Sequence, residues 1–278
     1  MEAVKSYGRP LWVIGSPIDH TLSPTLHNAA FEEAGLPHRY FALEVQEHQL
    51  EDFLEAFRRI DGLGANLTLP LKQRVRDYVS GETEAVRSVG AANTLYRSDG
   101  ELRLDNTDVY GFKKLVEPWH EMILEEPLLL LGAGGAARAC LRAFEEIGAS
   151  QVFLWNRTRS KARKLADQFE SLSIQVLEDA ELESGTLPVR LVVNSTSLGL
   201  DPDDPSPFPR EQVEPEIVGV DLIYGHETRF QQIFREYGRD AVGGLGMLID
   251  QAARAWERWT GSQPDRSVME SAVDGSGR

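Results

Sequence analysis

Apolar and polar positions alternate along the first third of the chain in a pattern that predicts strands and helices in turn. An apolar run at 11–15, closed by glycine, serine and proline, indicates a buried strand and a turn. Ser23 and Pro24 have the residue types of an N-cap and a first helical residue, with helical spacing of apolar residues up to Gly35. Further elements are predicted at 39–45 (strand), 47–60 (helix), 63–67 (strand) and 70–79 (helix). Repeated β-α order is typical of a parallel sheet covered by helices.

The same rhythm restarts after a meander near 92–105 and a predicted helix over 108–121. The later predicted elements are strands at 128–131, 151–155, 191–194 and 217–222, helices at 134–147 and 161–169, and a proline-rich loop at 200–216. This is a doubly wound pattern. A last helix is predicted over 245–260, and the polar tail that follows it is predicted to be flexible. Two α/β domains fit a chain of 278 residues.

Charge and composition narrow the choice of partners. The chain has 29 basic and 44 acidic residues, a net charge of −15, which opposes binding to nucleic acid or to an anionic membrane. No apolar run reaches the roughly 18 residues of a membrane span, and no apolar signal-peptide region opens the chain. The single cysteine, Cys140, excludes an intramolecular disulfide. We therefore expect a cytoplasmic protein with no nucleic-acid or membrane partner, in which an anionic ligand needs a local basic site.

A glycine-rich turn follows the strand predicted at 128–131. The sequence Gly132-Ala133-Gly134-Gly135-Ala136-Ala137 is a G-x-G-x-x-A pattern between a strand and a helix. In this setting Gly132 permits the tight turn, Gly134 lets the backbone approach a pyrophosphate, and Ala137 lets the helix pack closely on the strand. The free N–H groups of the helix N-terminus favour the pyrophosphate. The pattern predicts a dinucleotide site.

Five basic residues stand within the segment 157–164, just after the next predicted strand. NAD-binding folds usually place an acidic residue at the end of this strand, for the 2′-hydroxyl of the adenosine ribose. The residue here is Asn156, followed by Arg157 and Arg159, and we expect no carboxylate to oppose a phosphate there. Because an arginine can bind a 2′-phosphate bidentately, the sequence favours NADP over NAD.

Polar stretches stand at predicted strand ends or loops throughout the first half of the chain. They are GSPIDHTLSP at 15–24, NLTLPLK at 66–72, GAANT at 90–94 and DNTD at 105–108. Polar side chains at the C-terminal edge of a parallel sheet are expected to converge on a ligand. Together with NSTSLG at 194–199, DLIY at 221–224 and GLGMLIDQ at 244–251, these stretches resemble the shikimate dehydrogenase family, in the same order and over about residues 11–260.

The resemblance implies an enzyme that reversibly reduces 3-dehydroshikimate to shikimate with NADPH, in the biosynthesis of chorismate and the aromatic amino acids. It implies a two-domain α/β fold with an N-terminal α/β substrate domain, which has a parallel-type sheet, and a Rossmann-like NADP-binding domain. The expected boundaries are 1–107 with the C-terminal helix 245–262 for the first domain, 108–244 for the second, and 263–278 for the flexible tail. A homodimer is left open.

The resemblance also assigns site residues. Thr21 and Ser23 are expected to hold the substrate carboxylate, with Tyr224 nearby. The residues expected to read the hydroxyl groups of the substrate are Thr68, Lys72, Asn93, Asp108 and Gln251. The residues expected to contact NADP are Gly132, Ala133, Gly134, Gly135 and Ala136, then Asn156, Arg157, Thr158, Arg159 and Lys161, and finally Asn194, Ser195, Thr196, Leu222, Gly244 and Met247.

Lys72 and Asp108 are the catalytic pair that the resemblance implies. Reduction of a ketone requires a proton for the developing alkoxide, and a lysine beside a carboxylate can supply, position or relay it. The sequence leaves open which of the two side chains transfers the proton.

Some positions depart from the family pattern and keep alternatives open. Thr21 stands where serine is common, so a broader quinate/shikimate dehydrogenase is the first alternative. His226 stands where proline is usual, which is expected to shift the loop after Tyr224. A non-catalytic ligand sensor is the second alternative, disfavoured because both members of the catalytic pair are present. His20 and His27 have no Cys, Asp or Glu at a familiar ligand spacing, so no metal site is predicted.

Overall fold

The computed structural model describes residues 8–19, 21–184 and 187–274. The chain forms two compact units: unit 1 comprises Met1–Tyr110 and Ile249–Arg278, and unit 2 comprises Gly111–Leu248. Each unit has its own sheet with helices packed on it. The boundaries at 110/111 and 248/249 both fall within helices. They lie a few residues after the expected boundaries at 107/108 and 244/245.

Twelve strands and twelve α-helices lie within the described residues. The strands are β1 Pro10–Gly15, β2 Arg39–Glu44, β3 Gly64–Leu67, β4 Gly81–Glu82, β5 Thr94–Ser98, β6 Glu101–Asp105, β7 Leu128–Leu131, β8 Val152–Trp155, β9 Ile174–Val176, β10 Leu191–Asn194, β11 Val218–Asp221 and β12 Ala241–Val242. The helices are α1 Ser23–Glu33, α2 Leu50–Arg59, α3 Leu71–Arg74, α4 Glu84–Val89, α5 Asp108–Val116, α6 His120–Glu125, α7 Gly135–Ile147, α8 Arg159–Ala166, α9 Asp179–Ser184, α10 Arg229–Glu236, α11 Leu245–Thr260 and α12 Arg266–Asp274.

The sheet of unit 1 has the strand order β2-β1-β3-β5-β6-β4. β1 is parallel to β2 and β3, as the β-α alternation predicts, whereas β5 runs antiparallel to β3 and to β6. The β5–β6 hairpin turns through Asp99 and Gly100, whose φ angles of 54° and 82° match the twist of a two-residue hairpin loop. Its register sets Thr94 opposite both Asn66 on β3 and Asp105 on β6. The antiparallel pair therefore brings three polar residues into one row across the sheet.

Helices cover both faces of this sheet. Leu54 and Phe57 of α2 are buried in a core cluster with Ile14 and other strand residues. On α1, Phe31 packs against Trp256 of α11, with ring centroids 4.2 Å apart. A central sheet between two helical layers is the usual way to bury strands that are apolar on both sides.

The sheet of unit 2 has the order β12-β11-β10-β7-β8-β9, and all its pairs are parallel. This is the strand order of a Rossmann fold, whose topological switch point lies between β7 and β10. The expected α/β class with a Rossmann-like unit is confirmed. The helix predicted over 108–121 ends at Val116 instead, because Pro118 lies in the following 3₁₀ turn and has no N–H for a continuing helix.

Part of the C-terminal tail differs from the flexible segment that its polarity predicted. Residues 266–274 form α12, which packs against α1. Met269 and Val273 are buried, and Arg266 Nε donates to Oδ1 of Asp250 on α11 at 2.7 Å. Apolar residues at helical spacing form the buried face of this helix. The prediction missed them because the tail is polar on average.

Replacing Met269 with alanine is expected to lower the free energy of unfolding by about 2 to 4 kcal/mol, since it removes a fully buried side chain. Urea unfolding followed by circular dichroism measures this change. Ser271→Ala, at an exposed position of the same helix, is the control and is expected to have a much smaller effect. Equal stability of Met269→Ala and the parent chain would mean that α12 is not packed in solution.

Candidate active site

Lys72 and Asp108 form an ion pair in unit 1. Lys72 lies in α3, shortly after β3, and Asp108 is the first residue of α5, shortly after β6. Lys72 Nζ donates to Asp108 Oδ2 at 2.6 Å, and the two side chains are 20% and 10% exposed. An ammonium group has three N–H donors and Asp108 needs one, so the others remain for a substrate oxygen. The two residues expected to be catalytic are thus in direct contact.

Asn93 holds the other oxygen of the same carboxylate. Its Nδ2 donates to Asp108 Oδ1 at 2.8 Å, while its Oδ1 accepts the backbone N–H of Thr107 at 2.8 Å. Because a backbone N–H can only donate, the contact with Thr107 fixes which end of the Asn93 carboxamide faces Asp108. Gln251 Oε1 lies 3.3 Å from Asn93 Nδ2. Lys72, Asp108, Asn93 and Gln251 therefore belong to one hydrogen-bonded group.

Thr68 lies at the end of β3, on the segment that leads to Lys72. Its N–H donates to the carbonyl of Ile14 at 2.9 Å, and its carbonyl accepts from the N–H of Leu71 at 2.8 Å. A Cβ at Gly15 would lie 2.2 Å from Thr68 Cγ2, so only glycine lets the end of β1 approach this side chain. The partly exposed Thr68 is thereby held beside the end of β1.

Ser23 is not the N-cap of α1, which corrects the expectation from the sequence. The helix begins at Ser23 itself, and Leu22 occupies the cap position without a side-chain cap. The hydroxyl of Thr21 accepts the N–H of Ser23 at 3.3 Å and so takes over one of the free donors at the helix start. The predicted hydroxyl pair is close together, with Ser23 buried and Thr21 partly exposed.

A buried tyrosine that sequence reasoning missed extends the polar network. Tyr40 OH donates to Asn66 Oδ1 at 2.6 Å, and Asn66 Nδ2 donates to the carbonyl of Asn93 at 3.1 Å. Burial raises the pKa of Tyr40 well above its ordinary value, against smaller opposing effects of hydrogen bonds from Asn66 and Ser23. Asn66 lies in one of the polar stretches of the sequence, whereas nothing in the local sequence marked Tyr40.

His27 is buried under the same region and carries no charge at neutral pH. Its ring stacks on Tyr40 with centroids 4.4 Å apart, and neither ring nitrogen has a hydrogen-bond partner among the described residues. Burial lowers the pKa of His27 to about 3, against a smaller opposing effect of the Asn66 side chain. His20, the other histidine considered as a metal ligand, lies outside the described residues. Within the described ranges, no group of three or more His, Cys, Asp or Glu side chains could hold a metal ion.

The glycine-rich turn in unit 2 has the conformation that its sequence predicts. Gly132 has a φ of +113°, and a Cβ there would lie 2.7 Å from Ser195 Oγ, so both the backbone angle and the space require glycine. Gly134 is the N-cap residue of α7, and a Cβ there would meet open space. The free N–H groups at the start of α7 are therefore accessible to an anion.

The basic segment begins α8, but a carboxylate lies beside it. Arg159 forms an ion pair with Glu178, the residue before α9, whereas Arg157 is exposed. The expectation of a site without a carboxylate was wrong, because it considered only the strand that leads into the segment. Glu178 follows the neighbouring strand β9, and parallel strands deliver their C-terminal ends to the same edge of a sheet.

Asn194 and its neighbours organise the loop after β10. The Asn194 side chain is fully buried, donates to Asp221 Oδ1 at 2.9 Å and accepts the N–H of Thr196 at 3.0 Å. Burial raises the pKa of Asp221, against opposing hydrogen bonds from Thr228, Ile223 and Asn194. The Asn194 side chain is therefore bonded within the protein, and the expected contact of this residue with a cofactor stays a prediction. Ser195 Oγ also donates inward, to the carbonyl of Leu131 at 2.6 Å.

Other predicted cofactor residues in unit 2 lie at the ends of β11 and β12. A Cβ at Gly244 would lie 2.2 Å from the carbonyl oxygen of Leu222, so glycine is needed for this approach. Tyr224 follows in the same loop and is partly exposed, while Met247 is 9% exposed in α11.

No helix among the described residues has the length and apolar character to cross a membrane.

Three family models match successive parts of the chain. They are described as the shikimate dehydrogenase substrate binding domain, over residues 13–95, the shikimate / quinate 5-dehydrogenase family, over residues 114–199, and the shikimate 5'-dehydrogenase C-terminal domain, over residues 244–273. The first covers unit 1 from within β1 to the start of β5, and the second covers the glycine-rich turn and the basic segment. The matches follow the chain order of the motifs.

Individual relatives match over almost their whole length. A shikimate dehydrogenase (NADP(+)) from Maridesulfovibrio salexigens is 36% identical over 257 residues, which are 91% of this chain and 92% of that protein. The crystal structure of shikimate dehydrogenase from Aquifex aeolicus superposes with a TM-score of 0.90 at 35% identity, covering 98% of this chain and 99% of that one. The Thermus thermophilus enzyme, in complex with NADP(H) and shikimate, gives a TM-score of 0.86 at 37% identity, over 96% of this chain and 99% of that one.

Proposed function

The chain belongs to the shikimate dehydrogenase family, and we propose that it catalyses the reversible NADPH-dependent reduction of 3-dehydroshikimate to shikimate. The observation that carries this proposal is the Lys72–Asp108 ion pair with Asn93 on the second carboxylate oxygen. A cytoplasmic location is part of this proposal, because the single cysteine, Cys140, is buried and has no second cysteine with which to form an intramolecular disulfide.

The ion pair serves the proton side of the reaction. When bound, NADPH supplies the hydride that reduces the carbonyl carbon. The Lys72 ammonium has N–H donors left to bind the ketone oxygen, to stabilise the alkoxide as it forms, and to deliver a proton to it. Asp108, held by Asn93, keeps the ammonium in place. In the reverse direction the same pair accepts the proton from the shikimate hydroxyl.

Substrate specificity rests on the remaining polar groups of unit 1. We assign the substrate carboxylate to the hydroxyls of Thr21 and Ser23, which lie at the start of α1 where an anion is favoured. Thr68 and Gln251 complete the set that reads the ring hydroxyls. Unit 1 is accordingly the substrate domain, and α11 is part of it because Gln251 contacts Asn93.

Unit 2 has the features that a dinucleotide requires. The positive φ of Gly132 and the open space at Gly134 suit a backbone that approaches a pyrophosphate at the start of α7. Arg157, Arg159 and Lys161 supply the positive charge for a 2′-phosphate in a chain whose net charge is −15. These residues fit NADP, and we assign the cofactor to this unit.

The test is the initial rate of NADP reduction with shikimate, followed at 340 nm. We expect rapid turnover with shikimate and NADP, and slower turnover when NAD replaces NADP. The rate with quinate in place of shikimate shows whether this chain, which has Thr21 where serine is common, also has the broader quinate/shikimate dehydrogenase activity. No turnover with any pair, by a protein that binds NADP, would favour the non-catalytic sensor over the enzyme.

Replacing Arg157 with glutamine is expected to raise the Michaelis constant for NADP by roughly tenfold and to leave that for NAD nearly unchanged. The reason is that only NADP carries the 2′-phosphate that an exposed arginine can bind. Steady-state kinetics at two salt concentrations measure the change, and the difference is expected to shrink at high salt. Arg142→Gln, which removes a charge on α7 that is paired with Glu145 and Glu146, is the control. A parallel rise for both cofactors would contradict the assignment.

A further inference from the structure

The ends of strands β8 and β9 are joined by two polar side-chain contacts. Trp155, the last residue of β8, donates from Nε1 to Oδ1 of Asp179 at 2.9 Å. Arg159, four residues further along the chain, forms an ion pair with Glu178. Glu178 and Asp179 both follow β9, so this edge of the sheet receives two carboxylates from a strand that sequence reasoning had not connected with the site.

The Arg159–Glu178 pair is open to solvent. The side chains are 41% and 56% exposed, so a ligand can reach both of them. The bond to Glu178 uses Nη1 of Arg159, while Nε of the same guanidinium is buried and has no hydrogen-bond partner among the described residues. The backbone N–H of Glu178 donates to Oε2 of Glu181 at 2.7 Å, which fixes the start of α9. A positioned carboxylate therefore occupies an arginine that a 2′-phosphate would use.

We propose that Glu178 is a specificity-determining residue that weakens the preference of this enzyme for NADP over NAD. The inference rests on the proposed function, because it takes the segment 156–161 as the binding site for the adenosine ribose. It deepens that function by assigning a role to a residue outside the glycine-rich turn and the basic segment.

Glu178 affects the two cofactors differently. A 2′-phosphate carries close to two negative charges, so Arg159 must leave Glu178 to bind it, or the phosphate must bind beside a like charge. Each route disfavours NADP. The 2′-hydroxyl of NAD is neutral and can donate a hydrogen bond to a carboxylate, so Glu178 does not oppose NAD. Because the pair is exposed, the expected effect is moderate, roughly a three- to tenfold change in relative affinity.

The test measures dissociation constants of NADP, NAD and 2′,5′-ADP by calorimetry for the parent chain and for Glu178→Gln. The probe 2′,5′-ADP carries the 2′-phosphate without the nicotinamide, so binding is measured apart from catalysis. We expect Glu178→Gln to bind NADP and 2′,5′-ADP about three- to tenfold more tightly and NAD no more tightly. The gain is expected to shrink in 0.5 M sodium chloride, because exposed charges are screened.

Glu183→Gln removes the same charge from an exposed position later in α9 and is the matched control, expected to change the ratio of NADP to NAD affinity little. An unchanged ratio in Glu178→Gln, or weaker binding of 2′,5′-ADP, would overturn the inference; the second result would mean that Glu178 orients Arg159 for the phosphate. A parent chain that binds neither NADP nor 2′,5′-ADP would instead contradict the proposed cofactor site itself. The two failures are therefore distinguishable.

Discussion

Replacing Lys72 with methionine is expected to lower kcat for NADP-dependent shikimate oxidation by roughly 10²- to 10⁴-fold, the range typical of a lost general acid or base. Methionine keeps the length and apolar stem of lysine but has no ionisable proton and no charge. Asp108 would keep its hydrogen bond from Asn93 while losing its partner at 2.6 Å. Initial rates at saturating NADP and shikimate measure the change.

The companion variant Asp108→Asn is expected to reduce kcat by a similar factor, because the ammonium loses the carboxylate that holds it. Since the two side chains act as a unit, the double variant should be little slower than either single one. Lys114→Met, which removes a surface ion pair with Glu117 in unit 2, is the control and should retain the parent rate. Parent-like turnover of Lys72→Met would exclude the proposed role of the pair, whereas multiplicative losses in the double variant would show two independent contributions.

Acid is expected to destabilise the protein through His27. Its pKa is about 3 in the folded chain, against the ordinary histidine value of 6.5 that we take for the unfolded chain. Between these two values the unfolded chain binds a proton that the folded chain does not, so the stability present above pH 6.5 is lost as the pH falls towards 3. Each pH unit within this window removes about 1.4 kcal/mol from the free energy of unfolding.

At pH 5.0 the expected loss from His27 alone is therefore about 2 kcal/mol. Urea unfolding at pH 7.5 and at pH 5.0 measures it in the parent chain and in His27→Leu. Leucine has a similar volume, does not titrate, and leaves no buried nitrogen without a partner. The comparison uses the change with pH within each protein, so a difference in absolute stability between them cancels.

An exposed histidine provides the control for this measurement. His120→Leu is expected to keep the full pH dependence of the parent chain, because His120 lies on the surface at the start of α6. If His27→Leu lost as much stability between the two pH values as the parent chain, the buried ring would not be the group that titrates.

Local patterns were sufficient for most of the fold. The runs at 128–131 and 191–194 are strands at the predicted residues, because a fully buried parallel strand is apolar at nearly every position; Asn194, at the end of the second strand, is the polar exception. The conformation of the glycine-rich turn was predicted equally well, because few residues other than glycine adopt a φ of +113°, the value at Gly132. Where a single short segment determines its own conformation, the sequence alone predicts it.

Errors arose where the outcome depends on distant residues. α12 is polar on average, and it is helical because Met269 and Val273 find a buried surface beside α1. A meander was predicted where β5 and β6 lie, but their antiparallel register with β3 does not follow from spacing alone. In each case a partner elsewhere in the fold decides between local options that are close in energy.

The candidate site shows the same division. The sequence motifs identified Lys72, Asn93 and Asp108, which are linked by hydrogen bonds in the structure. Tyr40 was missed because it lies on β2, in a stretch with no polar pattern, and it reaches Asn66 only through the parallel pairing of β2, β1 and β3. Glu178 was missed for a related reason: it follows β9, which pairs with β8, the strand before the basic segment, and this pairing cannot be read from the local sequence.

The division of unit 1 into two stretches of sequence has a consequence for synthesis of the protein on the ribosome. Unit 2 is continuous, so it can complete its fold as soon as Leu248 has left the exit tunnel. Unit 1 is synthesised first, but its fold is complete only when α11 and α12, which cover Phe31 and α1, have also emerged. During translation the apolar residues of α1 that these helices cover, Phe31 among them, therefore stay exposed until α12 emerges. Slow elongation through unit 2 would prolong that exposure and the need for a chaperone.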